Sequence, residues 1–311
     1  MQNGLGEKQS MQTFPGSASP IGVYDSGVGG LSVLRALRTR MPGVGFVYVA
    51  DSANAPYGDR DRDFLEARAS AITRFMVRSG ARALVLACNT VSVVATQSLR
   101  SRFAIPIVAM EPAIKPAALA TRSKVVLVLA TETTIASIAV QRLCQLYGSG
   151  VRIILQACPG LVEQVERGAM ADPATLRLLE HYLRPVRDAG ADTIVLGCTH
   201  YPFLSDQIAQ IVGPHIWLME PSEAIARQLA RVLHKLPRST PVPTDAATTF
   251  YTSGSGAAMR SFLIQAGEIH ADVRPLPDEA PAHGIDNGTA SLTNRRARRI
   301  FAPGSCGART T

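Results

Sequence analysis

Short apolar runs rich in β-branched residues recur along the chain, each closed by small polar or glycine residues and followed by a stretch with helical spacing of apolar positions. The runs are Ile21–Tyr24, Gly45–Ala50, Ala83–Ala87, Ile105–Ala109, Lys124–Leu129, Val151–Leu155 and Thr193–Leu196. Runs without polar alternation describe strands covered on both faces. Strands that alternate with helices of this length predict parallel βαβ units, so the expected class is α/β with mostly parallel sheets.

Two pieces of the chain repeat one another. Ala83-Leu-Val-Leu-Ala-Cys88-Asn89-Thr90 and Thr193-Ile-Val-Leu-Gly-Cys198-Thr199-His200 each place a cysteine after a buried strand and before a polar turn. Upstream of each stands another strand ending in small polar residues, at Asp25-Ser26 and at Ala130-Thr131, 63 and 67 residues before the respective cysteine. The repetition predicts two pseudo-symmetric, doubly wound domains with the active site between them. Each would present a cysteine at the carboxyl end of a strand, where open α/β sheets bind ligands. Domain 1 is expected to comprise 20–111 plus 215–272 and to carry Cys88, and domain 2 to comprise 112–214 and to carry Cys198. The Pro-punctuated segment Ile105–Pro116 marks the crossing out and Gly213-Pro214 the return. The polar head 1–19 and the Pro-, Gly- and Arg-rich tail 273–311 lack periodicity and are expected to be poorly ordered.

Composition alters this picture little. Of 311 residues 46% are apolar and 18% charged, as in ordinary globular proteins, which excludes a wholly disordered or collagenous chain. The net charge of +8 invites a nucleic-acid or membrane reading, but residues 285–311 supply half of it. The remainder shows no basic stripe interleaved with aromatics, so neither nucleic acid nor membrane is an expected partner. The five cysteines, Cys88, Cys144, Cys158, Cys198 and Cys306, are widely spaced and form no CxxC, which suggests free thiols rather than disulfides or a zinc knuckle. With no signal-peptide-like apolar run near Met1 and no long apolar span, the expected compartment is the reducing cytoplasm, where the Asn287 sequon has no meaning.

Two motifs carry candidate chemistry. Asp25-Ser26-Gly27-Val28-Gly29-Gly30 follows a strand and opens a helix, with Asp51 ending the next strand, and so imitates a dinucleotide fingerprint. Ser32 occupies the third fingerprint position. A tight turn with N–H groups facing a carboxylate needs the same glycines and is the preferred reading. Cys144 and Cys158 are read as small core residues and Cys306 as incidental, whereas Cys88 and Cys198 stand out as a matched pair at strand ends. Two thiols facing each other suit inversion of a stereocentre, one removing an α-proton and the other returning one to the opposite face. Asp25, Glu166 and His200 are the groups expected to manage those protons.

Asp25-Ser-Gly-Val-Gly-Gly-Leu31, Pro56-Tyr57-Gly58, Ala87-Cys88-Asn89-Thr90, Cys158-Pro159 leading to Glu163 and Glu166, and Gly197-Cys198-Thr199-His200-Tyr201-Pro202 resemble glutamate racemases in order and spacing, from about Pro20 to about Glu268. The resemblance implies cofactor-free interconversion of L- and D-glutamate between two pseudo-symmetric domains, supplying D-glutamate for peptidoglycan. It implies Cys88 as the base toward D-glutamate and Cys198 as the base toward L-glutamate, Asp25 assisting the former and Glu166 and His200 the latter. Substrate would be held by Asp25, Ser26, Tyr57, Gly58, Asn89, Thr90, Thr199 and His200. The chain departs from the family where a Gly-Thr-x-x-Thr run is usual: it has Ala130-Thr131-Glu132-Thr133-Thr134. Aspartate racemases also use paired cysteines, but with a motif resembling Gly-Cys-Thr-Glu; His200-Tyr201-Pro202 favours glutamate.

Two other classes compete. A pyridoxal-phosphate racemase would need a Schiff-base lysine, and Lys8, Lys115, Lys124 and Lys235 all lack a pocket context. A docking role for the Arg-rich tail is the other, though a basic terminal run is ordinarily solvated. The expectations are therefore no metal, no cofactor, glutamate as the bound small molecule, and a homodimer left open.

Overall fold

The computed structural model describes residues 19–236 and 247–277. The head, Cys306 and the Arg-rich part of the tail lie outside these residues. The described strands are β1 Ile21–Asp25, β2 Phe46–Ala50, β3 Ala83–Leu86, β4 Ile107–Ala109, β5 Val125–Ala130, β6 Arg152–Ala157, β7 Thr193–Leu196, β8 Trp217–Met219, β9 Thr248–Thr252 and β10 Asp272–Pro275. The α-helices are α1 Leu31–Arg40, α2 Arg62–Arg78, α3 Asn89–Arg102, α4 Ile114–Ala120, α5 Glu132–Ala136, α6 Ile138–Tyr147, α7 Leu161–Glu166, α8 Pro173–Tyr182, α9 Arg184–Ala189, α10 Ser205–Val212, α11 Ser222–His234 and α12 Gly256–Gln265.

The strands form two sheets, ordered β10-β9-β2-β1-β3-β4 and β6-β5-β7-β8, and every pairing is parallel. The run β2-β1-β3-β4 repeats in the second sheet as β6-β5-β7-β8, so the two sheets are doubly wound in the same sense. The seven apolar runs are β1 to β7. For β1, β2, β3, β5 and β7 the lack of alternation has a physical reason, since both faces are covered, whereas edge strand β6 is only half-buried. In the first sheet Ile21 and Val23 face one apolar cluster while Tyr24, Val47 and Val49 face another. The former cluster continues through Leu127, Leu129, Ile194 and Leu196 of the second sheet, and so joins the sheets in one core.

Three strands escape the apolar-run criterion. β9 is threonine-rich, and β10 carries Asp272 and Arg274 and ends in Pro275, a composition that suits a sheet edge. The expected tail thus begins with a strand rather than irregular chain. β8 pairs with β7 through Thr193↔Trp217 to Val195↔Met219, so the second sheet reaches past Gly213-Pro214 and the chain rejoins the first layer with α11, which packs on α1. Turns are tied by side chains. Half-buried Asp192 accepts hydrogen bonds from Thr121 Oγ1 at 2.6 Å, Arg122 N at 2.7 Å and Ser123 N at 2.8 Å, fixing the approach to β5 from the start of β7.

Candidate active site

The carboxyl ends of β1, β3, β5 and β7 carry the candidate groups. Cys88 follows β3 and is the N-cap of α3; Cys198 follows Gly197 after β7, at the equivalent position of the second sheet. Both are buried and free. Cys88 donates to Ser26 Oγ at 3.7 Å, and Ser26 Oγ donates in turn to Asp25 Oδ1 at 3.4 Å. Burial, followed by the negative charge of Asp25, pushes the Cys88 thiol up to about 12, against the helix N–H of Val91. The charge of Cys198 adds to that rise, so the two sulfurs are within electrostatic reach of each other.

Asp25 ends β1 with no exposure. Its Oδ1 accepts Gly27 N–H at 2.8 Å and its Oδ2 accepts the Thr199 hydroxyl at 2.8 Å, a contact from the first-sheet turn to the turn that carries Cys198. Burial raises its carboxyl to about 6, with His200 and these hydrogen bonds opposing. On the other side His200 Nδ1 lies 3.7 Å from Cys198 Sγ, and Nε2 lies 2.6 Å from Glu166 Oε1. Burial disfavours charge on the ring, but its hydrogen bonds with Cys198 and Glu166 outweigh burial and hold the imidazole well above its ordinary value. Two thiols thus have separate proton partners, Ser26–Asp25 for one and His200–Glu166 for the other.

The glycine turn has its composition because side chains crowd it. A Cβ on Gly27 would stand 1.8 Å from Glu166 Oε1, one on Gly29 2.5 Å from His200 Nδ1, and one on Gly30 2.7 Å from Asp25 Cβ. Val28 N–H does face a carboxylate, but it is the protein's own Glu166, at 2.8 Å. Asp51 is likewise no ribose ligand. Its carboxylate is consumed by Arg68, Tyr57 and Asn54 inside the protein.

The remaining candidates divide by what they can still offer a ligand. Asn89 is buried and neither amide atom of its side chain has a partner, an expense of roughly 1–3 kcal/mol per group unless something polar arrives. Thr90 Oγ1 lies 3.0 Å from Thr131 Oγ1, which lies 2.9 Å from Thr134 Oγ1, a cluster of hydroxyls shared between α3 and the loop opening α5. The sequence departure at Ala130 and Glu132 leaves both threonines in it. The Tyr57 hydroxyl is occupied by Asp51 and Tyr24, so it is not free to meet a ligand. A crevice beside Pro56, Gly58, Thr131, Cys158 and Glu163 borders the hydroxyl cluster through Thr131, but neither it nor the depression by Phe75 and Leu276 is lined by Cys88 or Cys198.

Cys158 is buried, its thiol donating to the Gln156 carbonyl at 3.4 Å, whereas Cys144 is half-buried at the margin of the second-sheet core. Lys115 sits over the Tyr147 ring, 5.5 Å from its centroid, and Lys124 and Lys235 lie at element ends. Among the described residues no group of three or more His, Cys, Asp or Glu is arranged to hold a metal ion, and no helix is long and apolar enough to cross a membrane.

Residues 31–229 match the Asp/Glu/Hydantoin racemase family. A glutamate racemase from Methylococcus capsulatus is 45% identical over 263 residues, which is 84% of this chain and 97% of that protein. Among solved structures, Escherichia coli glutamate racemase in complex with L-glutamate and the activator UDP-MurNAc-Ala superposes with a TM-score of 0.74 at 31% identity, covering 82% of this chain and 97% of that one. Thermus thermophilus glutamate racemase in complex with β-chloro-D-alanine gives 0.68 at 34% identity, covering 83% and 97%.

Proposed function

The chain belongs to the Asp/Glu/hydantoin racemase family, and from that premise we propose how its residues carry out the reaction. The protein is a cofactor-independent glutamate racemase, interconverting L- and D-glutamate and supplying the D-enantiomer for peptidoglycan. Cys198 takes the α-proton of L-glutamate and Cys88 returns one to the opposite face; D-glutamate reacts in the reverse order. The observation that carries this reading is the equivalence of the two cysteines, one after β3 and one after β7 of sheets wound alike, each with its own proton partner.

Neither proton is managed by sulfur alone. Cys88 at about 12 is a thiol at neutral pH, the form needed to deliver a proton to the carbanion. Ser26 and Asp25 offer its proton a route out and back, and a carboxyl near 6 suits that task. On the other side the imidazolium of His200, anchored by Glu166, supplies the positive charge that a thiolate needs. The substrate's own ammonium adds another positive charge between the sulfurs.

Glutamate carries a side-chain carboxylate that must be held equally for both enantiomers. The vacant Asn89 amide and the Thr90–Thr131–Thr134 hydroxyls offer it donors, with Gly58 alongside, while Asp25, Ser26, Thr199 and His200 surround the α-carbon. Working thiols require a reducing compartment, which supports the cytoplasm. Exposed Leu119, Ile138 and Leu146 on α4 and α6 support a homodimer, which light scattering tests. Circular dichroism of L-glutamate incubated with metal-free, cofactor-free protein tests the reaction. The signal should decay to zero, since enantiomers have equal free energies; an unchanged signal overturns the reading.

A further inference from the structure

Asp51 directly follows β2 and is completely buried, yet it is charged. Arg68 of α2 grips it with both arms of its guanidinium, Nε to Oδ2 at 2.9 Å and Nη2 to Oδ1 at 2.6 Å. Asn54 Nδ2 donates to Oδ1 at 3.0 Å, and the Tyr57 hydroxyl donates to Oδ2. Tyr57 also meets the Tyr24 hydroxyl at 2.7 Å, next to Asp25 on β1. The loop between β2 and α2 is therefore pinned from below at Asn54 and at Tyr57.

Above the pin, the loop meets the second sheet. Gly58 accepts the Thr133 hydroxyl on its carbonyl at 2.5 Å, and a Cβ on Gly58 would stand 3.1 Å from Thr131 Cβ. Thr131 in turn bonds Thr90 and Thr134. An unbroken series of contacts thus runs from the buried ion pair through Tyr57 and Gly58 to the hydroxyl cluster. Neither Asp51 nor Arg68 belongs to that cluster.

Holding a loop in place does not require a buried charge, because well-packed apolar groups of similar size commonly stabilise a protein as well or better. A bidentate guanidinium–carboxylate pair adds direction, fixing where the second acceptor lobe of Asp51 points. That lobe receives the Tyr57 hydroxyl. We infer that Asp51 and Arg68 are positioning residues for recognition of the substrate's side-chain carboxylate, acting through Tyr57 on the packing of Gly58 against Thr131 and Thr133. This rests on the racemase reading above and extends it to residues that touch neither thiol.

The test is steady-state kinetics of Tyr57→Phe in both directions, with thermal unfolding measured in parallel. Phenylalanine keeps the ring and loses only the hydroxyl. Because both enantiomers share the side chain, KM should rise about tenfold or more for L- and D-glutamate alike, with kcat within about threefold of wild type. Arg68→Lys, which keeps the charge but not the fork, should shift KM in the same direction. A KM within twofold of wild type in both directions, a loss carried by kcat, or a Tyr57→Phe protein unfolded at the assay temperature would each overturn the inference. Wild type measured alongside separates the two levels: a wild-type protein without racemisation removes the racemase reading, and the inference with it.

Discussion

His200 Nε2 lies 2.6 Å from Glu166 Oε1, and the same oxygen accepts Val28 N–H at 2.8 Å. One carboxylate oxygen from the end of α7 therefore orients the imidazole beside Cys198 and fixes the glycine turn beneath Cys88. On the proposed assignment the imidazole serves only the Cys198 side, so His200→Asn should slow removal of the L-glutamate proton more than that of the D-glutamate proton. An acid–base partner of this kind is worth ~10²–10⁴-fold. Because the equilibrium constant forces kcat/KM to fall equally in both directions, the asymmetry is read from α-deuterium isotope effects. Identical effects for the two enantiomers in the variant would remove the side assignment.

Serine at either cysteine should abolish racemisation while sparing a half-reaction. A hydroxyl keeps the shape but is far too weak a base, so only the remaining thiol can remove a proton from the enantiomer facing it. An analogue with a β-leaving group needs only that step, since elimination consumes the carbanion. Cys198→Ser is expected to eliminate from the D-analogue and Cys88→Ser from the L-analogue, followed by keto-acid release. Near-wild-type racemisation by either variant would falsify the two-thiol mechanism.

The Asp25 carboxyl, raised from 3.8 to about 6, gives a pH dependence with a definite sign. Activity that passes a proton through Ser26 to ionised Asp25 should fall as pH drops through 6, and Asp25→Asn should lose both the activity and that limb. Stability runs the opposite way. A carboxyl raised on folding contributes most below its unfolded value near 3.9, and that contribution is lost as pH climbs through 6, at a cost of about 3 kcal/mol by pH 8. Urea unfolding of wild type and Asp25→Asn at pH 4.5 and pH 8 should show wild type gaining on the variant at the lower pH. A constant difference would mean that Asp25 is not raised.

Gly27→Ala separates crowding from backbone freedom. Gly27 is not among the glycines with positive φ, so alanine is conformationally allowed, but its methyl would stand 1.8 Å from Glu166 Oε1. The variant should fold with a melting temperature within a few degrees of wild type, yet lose activity by about a hundredfold, the scale of a 1 Å misplacement. Activity within threefold of wild type would show that Glu166 can move aside without consequence.

Much of this architecture is legible in the chain. β1 to β7 announce themselves as apolar runs, the central ones because strands buried on both faces cannot alternate, and the matched turns at Cys88 and Cys198 follow from two sheets wound alike. β9 and β10 stay hidden because a threonine-rich or charged strand is specified by its neighbour's ladder rather than by apolar content, and β8, though apolar, is only Trp217–Met219 long. Asp51 is visible in sequence as an acid after a strand, but its partner Arg68 is legible only once α2 folds back beneath the loop. The glycine turn is recognised correctly as a tight one. That Glu166 and His200 are what crowd it could not be read from residues 138 and more positions away.

The pairing of β2 with β9, Phe46↔Thr248 through Ala50↔Thr252, has a consequence for the ribosome's working order. Every group assigned to the chemistry, from Asp25 to His200, has been synthesised long before β9 appears. Until then the outer edge of β2, Phe-Val-Tyr-Val-Ala without a single charge, offers bare main-chain donors and acceptors to any passing strand. A nascent or truncated product ending before Thr248 would thus carry a complete set of reacting groups on an adhesive template. In the folded chain the last described strands cover that edge, β9 on β2 and β10 on β9.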